Sequence, residues 1–158
     1  TLPDQEICQQ DHKKAVEEFS NNCLSVISLC GILATQIEQQ KSGTIAVISS
    51  VAGDRGRESN YIYGSAKAAV SSFCSGLRAR LTKSGGHVVT IKPGFVATAM
   101  TEGLDLPQIL VAPPQKVAKD ICKAIDKNSN IIYTPKFWQL IMLIIKLIPE
   151  TIFKKLKL

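Results

Sequence analysis

The chain of 158 residues has few of the side chains from which metal sites and disulfide frameworks are built. Its two histidines, His12 and His87, lie far apart, so no metal site is expected. The five cysteines are odd in number and include no C-x-x-C pair, which argues against a disulfide framework. We predict reduced, buried thiols of a cytoplasmic protein at Cys8, Cys23, Cys30, Cys74 and Cys122.

The apolar run of the C-terminal tail is about a dozen residues long, short of the roughly 20 that a membrane-spanning helix needs. Its first residues, Thr1-Leu-Pro-Asp-Gln-Glu, have neither the basic nor the apolar region of a secretory signal. A content of 45% hydrophobic and 20% charged residues is that of an ordinary globular protein, and the length suits one domain.

Acidic charge is scarce near the C-terminus. Against the single acid Glu150 stand five lysines in this part of the chain, Lys136, Lys146, Lys154, Lys155 and Lys157. The body has no basic patch interleaved with aromatic residues, so a nucleic-acid partner is not expected. Since the lysines accompany an apolar tail at 137–158, the pattern indicates contact with a membrane surface.

Periodicity and turn residues predict alternating helices and strands. A helix over about 9–40, interrupted at Asn21-Asn22, follows a loop at 1–6. Strand 44–49, helix 60–83, strand 87–92 and a long loop at 93–112 come next. A helix from Pro113-Pro114, a strand at 131–134 and the tail complete the chain. This order predicts an α/β doubly wound parallel sheet, with residues 1–136 in the domain and 137–158 as the tail.

The most specific local pattern is Tyr63-Gly-Ser-Ala-Lys67, which places a phenol and an ammonium one helical turn apart. A nearby ammonium favours the phenolate, so Lys67 is expected to lower the pKa of Tyr63 and make it an acid/base. Ser50, at the end of a predicted strand, lies thirteen residues before Tyr63. Strand alternation directs the neighbouring Ser49 to the opposite face.

Three segments together, Ile48-Ser-Ser-Val-Ala-Gly53, Tyr63-x-x-x-Lys67 and Pro93-Gly-Phe-Val-x-Thr98, resemble the short-chain dehydrogenase/reductase family in order and separation. The resemblance covers essentially the whole chain. It implies a Rossmann-like fold and an oxidoreductase that uses NAD or NADP to interconvert a carbonyl and a secondary alcohol.

The resemblance also implies roles for individual residues. Tyr63 is the expected acid/base, Lys67 would hold the nicotinamide ribose, and Ser50 would polarise the substrate oxygen. Asn22 would support a water in a proton relay, although a helix kink or cap also explains it. The cofactor residues would be Tyr63, Lys67, Pro93, Gly94, Val96 and Thr98, although an ordinary Pro-Gly turn is the other interpretation of the loop.

One part of the family pattern is missing. The chain contains no glycine-rich turn of the kind that places a dinucleotide pyrophosphate at a helix N-terminus. We therefore expect the N-terminal glycine-rich βαβ half, roughly 80–90 residues, to be absent from this chain. On its own the chain is expected to be inactive, and it does not distinguish NADH from NADPH.

Four further segments are similar to a narrower group, the keto-reductase partner of the polyprenyl-phosphoryl-ribose 2′-epimerase. They are Leu2-Pro-Asp-Gln5, Arg57-Glu-Ser-Asn-Tyr-Ile-Tyr-Gly-Ser-Ala-Lys67, Pro93-Gly-Phe-Val-Ala-Thr-Ala-Met-Thr101 and Tyr133-Thr-Pro-Lys-Phe-Trp138. This similarity implies a lipid-linked sugar as substrate. A fatty-acyl, steroid-like or small carbonyl substrate, or a non-catalytic membrane or interaction module, remains an alternative.

Association is expected as well. The helices at 9–40 and 60–83 carry small residues, and the resemblance implies that they pair across a two-fold axis into a homodimer or homotetramer. The tail would lie at the inner face of the membrane; a buried helix or a subunit contact is the other interpretation of its apolar residues.

Overall fold

Three parallel strands form the sheet of the computed structural model, which describes residues 1–156. Lys157 of the predicted basic tail lies outside the described residues. The helices are α1 Gln5–Gln10, α2 His12–Phe19, α3 Ser25–Gln40, α4 Tyr61–Thr82, α5 Pro114–Asp126, α6 Phe137–Leu147 and α7 Glu150–Phe153. The strands are β1 Gly43–Ile48, β2 Gly86–Pro93, β3 Phe95–Val96, β4 Val111–Ala112 and β5 Ile131–Thr134.

Helices cover both faces of the sheet, whose strand order is β1-β2-β5. On one face α3 and α4 pack around Val88 of the central strand. On the other face Ala124 of α5 packs on Val89 and Ile91. Because successive residues of a strand point to opposite faces, one apolar strand serves both layers. The predicted doubly wound α/β class is confirmed.

The strand register decides where loops meet. Ile48 is paired with Ile91, and Pro93 is paired with Thr134. Since the strands are parallel, the segments that follow β1 and β2 leave the sheet at the same carboxyl edge. Open parallel sheets bind their ligands in crevices at this edge.

Two aspartates make the N-terminal region differ from the prediction. The Asp4 carboxylate accepts from the backbone N–H groups of Glu6 (2.9 Å) and Ile7 (3.1 Å), so α1 begins within the predicted loop 1–6. The Asp11 carboxylate caps α2 in the same way and divides the predicted helix 9–40. The predictions of a loop and of one helix are therefore wrong here. The interruption at Asn21-Asn22 is confirmed as a π-helical segment, Ser20–Leu24.

The C-terminal helices pack against the loop that follows β1. Trp138 and Met142 of α6 form a buried cluster with Val51. The Arg55 guanidinium donates to the carbonyl oxygens of Ile145 (2.5 Å) and Ile148 (2.6 Å), near the end of α6. It satisfies acceptors that the end of a helix leaves free. The inner face of the tail is thereby fixed near residues 51–55.

Two findings bear on exposure. Four cysteines are buried as predicted, but Cys122 is exposed, so the prediction of burial is wrong for this thiol. Among the described residues one helical stretch, His12–Gln40, is long and apolar enough to cross a bilayer. A mostly buried core helix of a soluble protein meets the same criterion; here 22% of the apolar part of the stretch is buried, and Cys30, Ala34 and Ile37 are packed in the core.

Candidate active site

Two glycines bring the turn after β1 against α4. A Cβ atom on Gly53 would lie 2.7 Å from the α4 backbone, and one on Gly64 would lie 2.9 Å from the carbonyl oxygen of Ala52. Neither position has room for a side chain. The close approach places Ser50, at the start of the turn, beside Tyr63 on α4.

Ser50 and Tyr63 interact through their side chains. A hydrogen bond with Ser50 lowers the pKa of the Tyr63 phenol, and the Ser50 oxygen also accepts from the Ala52 N–H at 3.1 Å. Ser49 faces the other way, as strand alternation predicts. Its hydroxyl donates to the Lys67 carbonyl oxygen at 2.9 Å. The structure therefore brings Ser50, and not Ser49, to the phenol.

Lys67 lies one turn after Tyr63 on α4. Its ammonium donates to the carbonyl oxygen of Ile48 at 3.3 Å and lies 5.6 Å from the centroid of the Tyr63 ring. Burial lowers the pKa of Lys67. Burial also raises the pKa of Tyr63, and the Ser50 hydrogen bond only partly opposes this effect. The predicted lowering of the Tyr63 pKa by Lys67 is therefore wrong for this structure, since desolvation of the phenolate dominates.

Asn22 occupies the π-helical segment and is buried. Its side-chain amide donates to the carbonyl oxygen of Glu18 (3.0 Å) and to the Thr1 hydroxyl (2.9 Å). The next residue, Cys23, lies close enough to Lys67 for the ammonium to lower the pKa of the thiol, although burial raises that pKa more strongly. The π-helical segment thus passes beside Lys67, while the Asn22 side chain itself is held by its own helix and the N-terminus.

Ser50, Tyr63 and Gly94 line one cavity of about 490 Å³ at the carboxyl edge of the sheet. Part of the cavity wall is apolar and is formed by Leu2, Phe95, Met100, Leu104 and Leu106. Arg57 and Asn60 line it as well. Sequence reasoning assigned no role to these two, although they lie in the polar loop that directly follows the Ser50 turn.

The loop after β2 is held by the tail. The Gly94 N–H donates to the carbonyl oxygen of Thr134 at 3.1 Å. A Cβ atom on Gly94 would lie 1.9 Å from the indole nitrogen of Trp138, so the indole fills the space a side chain would need. Pro93 is buried at the end of β2. Trp138 is thus a supporting residue that the sequence did not reveal.

Of the remaining predicted cofactor residues, one lies on a second concavity, whereas Lys67, Pro93 and Val96 line neither space. Thr98 lines a neighbouring space of about 460 Å³, which shares Thr101 with the main cavity. The Thr101 hydroxyl donates to the Val96 carbonyl oxygen at 2.6 Å. Thr98 is exposed. Ser50, Tyr63 and Gly94 therefore line the main cavity and Thr98 lines the adjoining one.

A buried charged group supports the same region. Asp54 forms an ion pair with Lys92 of β2 and accepts from the Tyr133 hydroxyl of β5 at 2.6 Å. Burial and Asp54 together raise the pKa of Tyr133. The group joins the Ser50 loop to two strands. Its only signal in the sequence is a lysine within the apolar strand β2.

Metal chemistry has no candidate centre in residues 1–156, where no three histidine, cysteine or acidic side chains are grouped to hold an ion.

Comparison with known proteins identifies the family. A family model described as short chain dehydrogenase matches residues 2–108, so the chain belongs to this family. An uncharacterized oxidoreductase of Mycobacterium tuberculosis is 32% identical over 155 residues, which are 98% of this chain and 62% of the relative. The ketoacyl reductase HetN of Nostoc is 29% identical over 72% of this chain and 42% of its own length. The chain therefore spans less than two thirds of the length of either relative.

Solved structures agree on the fold. A short-chain dehydrogenase from Burkholderia cenocepacia in complex with NADP superposes with a TM-score of 0.76 at 19% identity, covering 84% of this chain and 56% of that one. One from Sphingobium yanoikuyae in complex with NADPH gives 0.73 at 21% identity, covering 90% and 60%. Both identities are low, so the likeness is one of architecture.

Proposed function

We propose that the protein containing this chain is an NAD(P)-dependent oxidoreductase that interconverts a carbonyl and a secondary alcohol. One observation carries the proposal: Ser50 and Tyr63 line a single cavity at the carboxyl edge of the sheet, with Lys67 one turn further along α4. In the direction of reduction, Tyr63 gives its proton to the substrate oxygen. Ser50 donates a hydrogen bond to the same oxygen.

The residues present fit the nicotinamide end of a dinucleotide. Among the described residues the Lys67 ammonium donates only to Ile48 at 3.3 Å, which leaves donors for ribose hydroxyls. The loop Pro93 to Thr98, including Gly94 and Val96, follows β2 at the same edge. When bound, the dinucleotide supplies or accepts the hydride. Donors for its pyrophosphate are expected outside this chain.

Two further roles follow at this site. Burial keeps the Tyr63 phenol protonated at neutral pH, a state that suits proton delivery during reduction. We propose that Asn22, in the π-helical segment beside Lys67, supports a water molecule. Through Lys67 this water returns a proton to Tyr63 after Tyr63 has protonated the substrate. Single π-helical turns are frequent at functional sites.

For the substrate we propose a lipid-linked sugar. The motifs shared with the keto-reductase partner of the polyprenyl-phosphoryl-ribose 2′-epimerase support this choice, as does the apolar wall that includes Leu104 and Leu106. A fatty-acyl carbonyl compound is the second candidate, favoured by the similarity to a protein named ketoacyl reductase.

The location we propose is the cytoplasmic face of the membrane. The outer face of α6 exposes Leu143 (51%), Ile144 (56%) and Leu147 (73%), while its inner face is packed. Lys146 and Lys154 are also exposed and suit anionic headgroups. A helix of this kind lies in the interface rather than across the bilayer.

Tyr63→Phe tests the proposed chemistry in the full-length protein. The change removes one hydroxyl from a well-packed ring, so we expect consumption of NADH or NADPH with a ketone to fall by at least ~10²-fold while thermal stability changes little. Tyr61→Phe, on an exposed neighbour, is the matched control and should retain activity. Equal activity of both variants would refute the assignment.

A further inference from the structure

The cavity beside Ser50 contains a cation without a counter-ion. Arg57 lines the cavity, and its Nε is buried without a hydrogen-bond partner. Within residues 1–156 no carboxylate pairs with its guanidinium, and burial lowers its pKa. A guanidinium nonetheless stays charged in proteins. Removing such a group from water without a partner is costly, so a ligand that supplies an oxyanion would be bound favourably.

Asn60 supplies a second unused group in the same cavity. It stands immediately before α4, where an asparagine side chain normally accepts from the first N–H groups of the helix. Here it makes no such bond, and its Oδ1 is buried without a partner. The Oε1 atom of Gln5 accepts from the Ile62 N–H at 3.1 Å instead. Because Gln5 provides the cap, the Asn60 side chain makes no bond to the helix and is left to line the cavity.

We propose that Arg57 and Asn60 form a recognition subsite that binds an oxyanion and a hydroxyl of the carbonyl substrate. The inference rests on the proposed function, because Ser50 and Tyr63 would hold the carbonyl of the same molecule. Asp105 also lines the cavity but forms no ion pair with Arg57, so it does not replace the anion. The substrate class is a hydroxylated carbonyl compound that bears an anionic group.

Binding is measured first, because it does not depend on turnover. Calorimetric titration of the full-length protein with ribose 5-phosphate and with ribose compares two sugars that differ in one phosphate. We expect the wild type to bind the phosphorylated sugar at least 10-fold more tightly and Arg57→Gln to lose that preference. Arg80→Gln, at an arginine paired with Glu38 outside the cavity, is the matched control and should keep it. An unchanged preference in Arg57→Gln, or none in the wild type, would overturn the role of Arg57.

Asn60→Ala separates the second half of the subsite. Both sugars carry the same ring hydroxyls, so this variant is expected to weaken the binding of ribose and ribose 5-phosphate by the same factor while keeping the preference for phosphate. Unchanged affinity for both sugars would overturn the role of Asn60. Thermal melts of each variant, compared with the wild type, identify any loss of binding that is caused by unfolding.

Turnover then tests the link to chemistry. Reduction is followed with ribulose 5-phosphate against ribulose, and with 5-ketogluconate against fructose, to distinguish a phosphate from a carboxylate. We expect the wild type to have a higher kcat/KM for at least one of the two charged ketones than for its uncharged counterpart. Arg57→Gln should reduce this difference by raising the KM for the charged ketone, while the KM for the dinucleotide stays unchanged. A change confined to the dinucleotide KM would show that Arg57 binds the cofactor and would overturn the inference. Absence of all turnover with intact Arg57-dependent binding would refute the oxidoreductase proposal and leave the subsite standing.

Discussion

Burial and hydrogen bonding act in opposite directions on the Tyr63 phenol. Removal from water disfavours the phenolate and raises the pKa, whereas the Ser50 hydrogen bond favours it. The effect of burial is the larger, so the pKa of the Tyr63 phenol is higher than that of a free tyrosine. Lys67 is itself partly desolvated and contributes no comparable lowering. The protonation state of the site is therefore controlled by Ser50 and by burial.

Ser50→Ala should move the pH dependence of reduction. Reduction uses the protonated phenol, so activity is lost as pH rises through the Tyr63 pKa, which lies above its usual value of 10.0. Without the Ser50 hydrogen bond the pKa rises further, and the loss should begin at still higher pH. At neutral pH, kcat should fall by ~10²–10³-fold, since one donor to the substrate oxygen is gone. In the full-length protein, the profile of kcat/KM against pH measures the shift, and kcat at neutral pH measures the loss.

Ser49→Ala provides the control for this experiment, because that hydroxyl contacts the Lys67 carbonyl on the other face of the strand. The pH at which its activity falls should match the wild type. A shift of the Ser50→Ala profile toward lower pH would contradict the assignment of Ser50 as the group that lowers the Tyr63 pKa.

At the scale of elements, α6 and the loop after β2 depend on each other. Trp138 packs edge-on against Phe95, with the ring centroids 5.2 Å apart, and lies in the space that a side chain on Gly94 would occupy. Arg55 fixes the end of the same helix to the Ser50 loop. The tail helix is therefore part of the wall behind the proposed cofactor loop, and displacement of one should displace the other.

Gly94→Ala should disrupt this contact. A methyl group 1.9 Å from the indole nitrogen forces the helix or the loop to move, at a cost of about 1–3 kcal/mol. The chain contains a single tryptophan, so its fluorescence reports the contact directly. We expect red-shifted emission and a lower melting temperature.

Gly56→Ala is the matched control, because a Cβ atom there meets no atom within 4 Å. It should leave the emission unchanged. Wild-type emission and stability in Gly94→Ala would show that the loop and α6 are not in contact in solution.

At the scale of the whole molecule, helix α3 has an exposed apolar surface. Leu29 is 58% exposed and Ile32 is 62% exposed, on the side of α3 that faces away from the core. On α4, Gly76 is exposed and a Cβ atom there would meet nothing within 4 Å. Apolar and small residues on neighbouring helices suit a symmetric contact with a second copy. This surface supports the proposed homodimer or homotetramer.

Ile32→Glu should dissociate such an assembly. A carboxylate at the centre of an apolar interface would be desolvated without a partner, which costs several kcal/mol. Light scattering of the full-length protein should change from a dimer or tetramer to a monomer. Gln115→Glu, which adds the same charge on exposed α5, should not change the mass. A wild-type monomer, or an unaltered oligomer in Ile32→Glu, would contradict the proposed interface.

Leu147→Glu tests the proposed membrane contact. Leu147 is 73% exposed at the end of α6, and a carboxylate there would oppose both apolar insertion and attraction to anionic lipid. Flotation with phosphatidylserine-containing vesicles should fall for this variant and, for the wild type, with added salt. Ile109→Glu changes an 88% exposed apolar residue outside the tail and should float normally. Equal flotation of the two variants would exclude the tail as the contact.

Much of the fold was predictable because its signals are local. Each of the three strands of the sheet has an observed boundary within a residue or two of the predicted one, since apolar runs and glycine breaks mark them. The N-terminal helices were mispredicted because the side chains of Asp4 and Asp11 cap separate helices, and the helical pattern does not show these caps. Cys122 lies within α5 but outside the apolar stripe of that helix, and it is therefore exposed.

The sequence by itself determined that Tyr63 and Lys67 share one helix face and that Ser50 follows closely after a strand, because these relations depend only on helical and strand periodicity. Tertiary structure alone decided that Arg57 and Asn60 line the Ser50 cavity with unused polar atoms. It also decided that Trp138 fills the space beside Gly94. These contacts join residues that are distant in the chain or lie in irregular loops, where no period fixes side-chain direction, so packing alone determines which groups meet and which remain without a partner.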